Sequence, residues 1–403
     1  SRKKSKFLRD YCFCTVFYNT FVFQTNKPFI IMKKLFCLLA LGVALVSCEN
    51  DTIEQQSDEV NIASETIDLS DFSTSSDKSL AYDAPENSRK CKSMEVLERQ
   101  IKENPSLYNK MLAIEQFTRL RNAKKPGGGN GNGNGNGNGG TDGGGSTPTE
   151  DNLGTLNIPV IVHVIYNNAN ENISAQQIDS QIAVLNEDFR ATNGDVSQVP
   201  SEFAGLVADS NINFSLSQVI RVASTRTSWG TNDAMKYASN GGSDAVTPNA
   251  ALNIWVCNIG GGILGYAQFP GGNSNTDGVV VSPQYFGTTG FVSSPFDGGR
   301  TATHEVGHWL NLRHIWGDGR CRQDDFVADT PSSDAPNYGC PSYPTVNCRS
   351  NDMTMNYMDY VNDACMYMFS QDQMTFAEAY ISSIQADIKP NVCQPASPGF
   401  NLI

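Results

Sequence analysis

The chain has four histidines among 403 residues, and three of them, His304, His308 and His314, fall within eleven consecutive positions. In His304-Glu305-Val306-Gly307-His308 two imidazoles are four residues apart. On a helix they stand one above the other on the same face, so both reach one metal ion. Asn311 follows Leu310, and asparagine tolerates the left-handed conformation in which helices end. A reversal there brings His314 to the same ion. Three protein ligands and one open position are the ligand count of a catalytic zinc, whereas a closed structural zinc takes a fourth residue. Zinc lowers the pKa of its water towards about 7, and Glu305, beside the open position, is the expected general base. The chemistry is hydrolysis of a carbonyl such as a peptide's. No glutamate occurs between His308 and Glu378, which argues against a downstream carboxylate as third ligand. His163 lies inside an apolar run and reads as a satisfied core histidine rather than a ligand.

These residues need a frame. Ile158 to Tyr166 is a nearly continuous apolar, β-branched run, the pattern of a strand buried on both faces. A helix is expected from Ser174, its N-cap, to Phe189, with Ile178, Ile182, Leu185 and Phe189 at helical spacing. Ile212, Phe214 and Leu216 alternate as a strand covered on one face, and Leu252–Cys257 and Val279–Val281 are short apolar strands. Alternating strands and helices imply an α/β sandwich-like unit. After Trp316 the pattern becomes irregular until an amphipathic helix near Gln371–Ile388. Six of the eleven cysteines lie between Cys257 and Cys393, as expected of disulfides in an oxidising compartment. Cys257, flanked by apolar strand residues, reads as a buried thiol.

A net charge of -13 argues against nucleic acid as a partner. Residues 32–47 read as an export leader: Lys33 and Lys34 precede an apolar run that is too short to span a bilayer. Leu45-Val46-Ser47-Cys48 resembles a lipobox, so Cys48 is expected to carry a lipid anchor, the chain's only link to a membrane. The alternative is an ordinary signal peptide with an incidental cysteine. Residues 1–31 are taken as an upstream-translation artefact. Residues 48–125 combine an acidic spacer, disordered over 49–88, with a helical segment from Ser93 to Arg121 that breaks at Asn104-Pro105. Its stripe of Leu107, Met111, Ile114, Phe117 and Leu120 needs a partner surface. Residues 126–150 are a Gly/Asn-rich flexible linker, 151–395 the catalytic domain and 396–403 a tail.

The motif H-E-x-x-H-x-x-N-x-x-H, with Met358 in Asn356-Tyr357-Met358-Asp359-Tyr360 placed 44 residues after His314, resembles the metzincin clan. Within it the chain is similar to the pappalysin family, in the branch of ulilysin, mirolysin and the cytophagalysins. The likeness is carried by Leu185–Arg190, Leu252–Cys257 with Gly265–Pro270, the metal segment, and Met358–Phe369. It implies an α/β (α+β) metzincin catalytic domain. This has a twisted mixed sheet with a backing helix and an active-site helix, then an irregular, disulfide-bearing subdomain ending in a helix. Its activity would be zinc-dependent endopeptidase action on protein or peptide substrates, in the cell envelope or outside the cell.

Further roles are implied by the same likeness. Met358 would floor the metal, and Tyr360 would hydrogen-bond the oxyanion, unless it is a buried structural tyrosine. Gly262–Ala267, with Gly265, Tyr266 and Ala267, would be an exposed edge strand that pairs with substrate. Cys321 would pair with Cys348 and Cys340 with Cys365. Asp325, Asp329 and Thr330 resemble a calcium-binding turn, with a solvated acidic loop as the alternative. Cys91 matches a cysteine switch, by which the chain's own pro-segment inhibits the zinc site, although Lys92 stands where glycine is usual. Arg119, Arg121, Lys124 and Lys125 are sites where cleavage would release it. The wall Cys365-Met366-Tyr367-Met368 borders the pocket for the residue after the scissile bond. Met366 offers no carboxylate, so a neutral or apolar preference is expected. The rival reading is a surface lipoprotein that binds proteins or peptides around a non-catalytic zinc, a role in which Glu305 would have no use.

Overall fold

The computed structural model describes residues 72–74, 84–123 and 154–384, without the side chains of 120–123 and 382–384. The expected leader, Cys48, the Gly/Asn linker, Lys124, Lys125 and the tail lie outside the described residues. No helix among the described residues is long and apolar enough to cross a membrane.

In chain order the main elements are helices α1 (Ser93–Glu103) and α2 (Ser106–Ala123), strand β1 (Leu156–Tyr166), helix α3 (Ala175–Phe189) and strands β2 (Ile212–Ala223), β3 (Leu252–Val256), β4 (Gly265–Ala267) and β5 (Val279–Val281). Helix α4 (Arg300–Trp309) follows, then α5 (Gln371–Ile384). The sheet runs β2-β1-β3-β5-β4, parallel except for β4, which is antiparallel to β5. β1, paired on both sides by β2 and β3, is buried on both faces over most of its length, as its apolar run requires. Ser174 caps α3, its Oγ accepting the Gln177 amide at 3.1 Å. Ile178, Leu185 and Phe189 of α3 and Ala302, Val306 and Trp309 of α4 fill the main core. β2 departs from expectation: it is the outer strand, and although Ile212 and Phe214 are buried, Leu216 is 36% exposed.

The segment after α4 is irregular and held by the disulfides Cys321–Cys348 and Cys340–Cys365. α1 and α2 break where expected, at Asn104, whose amide donates to Gln100 O at 2.8 Å. Leu107, Met111 and Ile114 are buried, but Phe117 is 43% exposed, and the buried face passes to Glu115 and Thr118 instead. Ile114 enters the main core, and α2 lies along α5. The partner surface that these helices needed is therefore the body formed by residues 154–384. The acidic spacer is not wholly unstructured either. Phe72 is buried, stacked on Phe326 at 6.4 Å and edge-on to Tyr108 at 6.1 Å, with the Arg313 guanidinium 4.5 Å above its ring. One aromatic side chain with a notch to enter can anchor an otherwise polar segment.

Candidate active site

Helix α4 presents His304 and His308 on one face, and Asn311 ends it with a φ of 74°, the left-handed turn that asparagine tolerates. Each ligand-type histidine is oriented through Nδ1. His304 donates to Tyr357 O at 2.7 Å, His308 to Leu312 O at 2.8 Å and His314 to Asp318 Oδ1 at 2.5 Å. Carbonyl and carboxylate oxygens accept here, so the Nδ1 atoms carry the protons and the Nε2 lone pairs are left over. Those lone pairs converge: His308 Nε2 is 3.2 Å from His304 Nε2 and 3.1 Å from His314 Nε2. Unprotonated nitrogens so close repel unless they share a cation, and three buried imidazoles are a donor set that suits zinc. Burial, with the neighbouring imidazoles, keeps His304 and His308 well below the usual histidine range, in the neutral form that binds metal.

Trp316 stacks on His314 at 4.3 Å, and Tyr360 meets the same ring edge-on at 4.9 Å. Met358 is fully buried. A Cβ on Gly307 would lie 2.5 Å from Met358 Sδ, so only glycine lets the methionine pass beneath the helix there. One supporting residue was not singled out from the sequence. Asp188 of α3 accepts from Thr303 Oγ1 and from Tyr357 Oη, each at 2.8 Å, and pairs with Arg300 at 3.2 Å. It thus ties together the residue before His304 and the residue whose carbonyl orients His304. Burial raises its carboxyl to about 6 even though Arg300 opposes the shift. The available signal was a carboxylate one turn from Leu185 on the apolar stripe of α3.

Glu305 is buried, and burial raises its pKa to about 7. Its Oε2 accepts from Ser93 Oγ at 2.8 Å, and the Cys91 thiol stands 3.4 Å away. A Cβ on Gly265 would come within 3.0 Å of Glu305 Cγ and 2.9 Å of Val280 O, so this glycine makes room for the glutamate. Cys91 forms one buried cluster with His304, His308 and His314, their ligand atoms all within 4.8 Å of one another.

The strand expected to be exposed is covered. Gly265, Tyr266 and Ala267 are buried because residues 90–93 lie along the free edge of β4. Leu264 N donates to Lys90 O at 3.1 Å, Lys92 N to Gly265 O at 3.2 Å and Ala267 N to Ser93 Oγ at 2.8 Å. Tyr360 Oη reaches Cys91 O at 3.5 Å.

Arg89 enters a pocket beside this strand. It pairs with Asp363 at 2.5 Å, both side chains 1% exposed. It also donates to Thr301 Oγ1 at 3.2 Å and Val361 O at 3.3 Å, and meets Met366 Sδ at 3.5 Å. Although Met366 itself offers no carboxylate, Asp363, three positions earlier, brings one to this pocket. Arg119, expected as a cleavage site, lies within α2, paired with Glu115 at 2.7 Å and 3.5 Å above the Phe326 ring.

Of the implied calcium ligands, Asp325 and Thr330 meet each other, whereas Asp329 bonds elsewhere. Asp325 accepts from Thr330 Oγ1 at 2.8 Å and from Val327 N at 3.1 Å, while Asp329 accepts from Ser370 Oγ at 2.5 Å and Asp372 N at 2.9 Å. His163 is a satisfied core residue, with ring nitrogens 2.7 Å from Ser243 Oγ and 2.9 Å from Asn253 Oδ1. Cys257 is a buried free thiol.

Residues 245–382 match the family described as Peptidase_M43, Pregnancy-associated plasma protein-A. The chain is similar to Extracellular metalloprotease 1 of Coccidioides posadasii (strain C735), 34% identical over 235 residues, which cover 55% of this chain and 75% of that protein. It is similar also to an extracellular metalloprotease of Colletotrichum graminicola, 31% identical over 58% of this chain and 78% of the relative. Among solved structures, Tannerella forsythia mature mirolysin in complex with a cleaved peptide is 45% identical, with a TM-score of 0.56, over 58% of this chain and 96% of its own. A promirolysin mutant from the same organism is 38% identical, with a TM-score of 0.63, over 75% of this chain and 97% of its own.

Proposed function

As a member of the Peptidase_M43 family the chain is a metalloendopeptidase made with a propeptide, and we propose that His304, His308 and His314 hold its zinc. The observation that carries this reading is the convergence of three Nε2 atoms whose Nδ1 partners already fix the rings. When bound, zinc supplies a Lewis acid that acidifies water and polarises the scissile carbonyl.

The chain's residues do the rest. Glu305 takes the proton of the attacking water on its carboxylate and returns it to the leaving amine. Tyr360 donates from its hydroxyl to the oxyanion, and that hydroxyl faces a backbone carbonyl oxygen, the one of Cys91, in the latent chain. β4 binds extended substrate by main-chain hydrogen bonds, just as it binds residues 90–93. Asp363 draws an arginine or lysine after the scissile bond into the pocket that Arg89 fills. Met358 floors the metal, and calcium is no part of this account.

Latency follows from the same contacts. With zinc held by the three imidazoles, the Cys91 thiolate would be a further strong ligand in the position that water needs. Secretion is supported by the names of the relatives, which are extracellular metalloproteases. Residues 32–47 supply the leader, and Cys48 supplies a lipid anchor before processing. The test is peptide cleavage by the processed enzyme, with Glu305→Ala and chelation in parallel arms. Activity should vanish in both and return on adding zinc to the wild type. Cleavage that survives either treatment would overturn the proposal.

A further inference from the structure

The pro-segment carries a second arginine into the catalytic body. Arg99 of α1 pairs with Asp233 Oδ2, and Gln100 Nε2 reaches the same oxygen at 3.4 Å and Gln268 Oε1 at 3.0 Å. The Asp233 side chain is 5% exposed. Its two oxygens are held differently. Oδ1 is fixed from within the body, by Tyr266 Oη at 3.2 Å and Lys236 Nζ at 3.0 Å. The Lys236 ammonium is itself tethered to Thr276 O at 2.6 Å and lies over the Trp255 and Tyr266 rings at 5.1 and 5.2 Å. Lys236 is thus held on the Oδ1 side of the carboxylate. Removal of the pro-segment strips Oδ2 of both its donors and leaves a carboxylate that Tyr266 and Lys236 still orient through Oδ1. Such a group gains most by taking a new charged donor, and a planar guanidinium fits it best.

β4 and the residues next to it locate this carboxylate along the cleft. Lys90 pairs at Leu264, Cys91 stands opposite Gly265 beside the three imidazoles, Ser93 sits at Ala267 and Gln100 reaches Gln268. Arg89 and its Asp363 pocket belong to the Leu264 end, and Arg99 with Asp233 to the Gln268 end. Gly265 and Gln268 are three residues apart, about 10 Å of extended chain. We propose that Asp233 forms a second cation-binding subsite, selecting an arginine or lysine of the substrate about three residues before the scissile bond. The inference rests on the peptidase reading above and adds a substrate class, peptides with a basic residue on each side of the cut.

The test uses enzyme processed from the full chain and peptides identical except for arginine, citrulline or leucine at the second, third or fourth residue before the bond. Citrulline keeps the shape of arginine and removes its charge. Arginine should exceed citrulline by about tenfold in kcat/KM at one of these positions, mostly through KM, as expected for a partly buried charged hydrogen bond. In Asp233→Asn that ratio should fall to about one while the preference after the bond persists. The paired change Asp233→Asn with Lys236→Met repeats the measurement without an orphaned ammonium. A ratio near one in the wild type, or an unchanged ratio in both variants, would overturn the subsite. Failure to cleave any peptide would instead count against the peptidase reading.

Discussion

Ser93 Oγ stands 2.8 Å from Glu305 Oε2 and accepts the Ala267 amide at the same distance. One hydroxyl of the pro-segment thus holds both the proposed base and the strand that would bind substrate. On the proposed reading, the latent chain would be blocked at its base and at its binding edge as well as at its metal site.

Ser93→Ala in the uncut chain should raise residual peptidase activity by about tenfold, the worth of one hydrogen bond to a charged acceptor. Cys91→Ala should raise it further, because a metal bond is lost. The ratio of initial rates before and after processing measures both. Unchanged latency in Ser93→Ala would confine the block to the cysteine.

Tyr357→Phe keeps the carbonyl that orients His304 but cuts the link from Tyr357 Oη to Asp188. Outer-shell partners of metal ligands are worth about 10- to 100-fold in metal affinity. Zinc should therefore be lost to a competing chelator at correspondingly lower concentration, and Asp188→Asn should show the same direction. Equal retention in all three proteins would reduce Asp188 to a packing residue.

Asp363→Asn should abolish the preference for arginine or lysine after the scissile bond. In the precursor it leaves the Arg89 guanidinium buried without its partner, which costs about 3–5 kcal/mol. The pro-segment should then be released at lower denaturant, as followed by protease sensitivity of residues 84–123. A cleavage profile that stays basic in the variant would contradict the pocket assignment.

Asp277 is buried, and burial raises its carboxyl to about 6 although Trp309 Nε1 donates to it at 3.2 Å. Below about pH 4 the group is protonated in both folded and unfolded chains. Between about 4 and 6 only the folded chain keeps the proton, so its contribution to stability declines as pH rises and is gone above about 6. Asp277→Asn should flatten the fall in urea-unfolding free energy over that window by up to about 1.4 kcal/mol per pH unit. Parallel curves for the two proteins would refute the assignment.

Much of this was legible in the sequence because a single local rule settled it. The spacing of His304 and His308 requires a helix, Asn311 marks its end, and the run from Ile158 to Tyr166 reads as a doubly covered strand. What escaped depends on long-range placement. Leu216 alternates correctly, but nothing local says that β2 lies at the sheet edge. Phe72 sits in a polar stretch, and its notch is assembled from Tyr108 and Phe326, far apart in the chain. Asp363 was overlooked because the pocket wall was read as consecutive residues, whereas Arg89 is met by Thr301, Val361 and Asp363 together. The edge strand was expected bare because its pairing with Cys91 spans more than 170 residues.

X-ray absorption at the zinc edge, recorded on the full chain before and after processing, tests the ligand set most directly. The latent chain should hold one zinc with three nitrogen neighbours and one sulfur at about 2.3 Å. After removal of the pro-segment the sulfur should be replaced by oxygen while the three nitrogens remain. A latent site without sulfur, or a processed site with fewer than three nitrogens, would contradict the account.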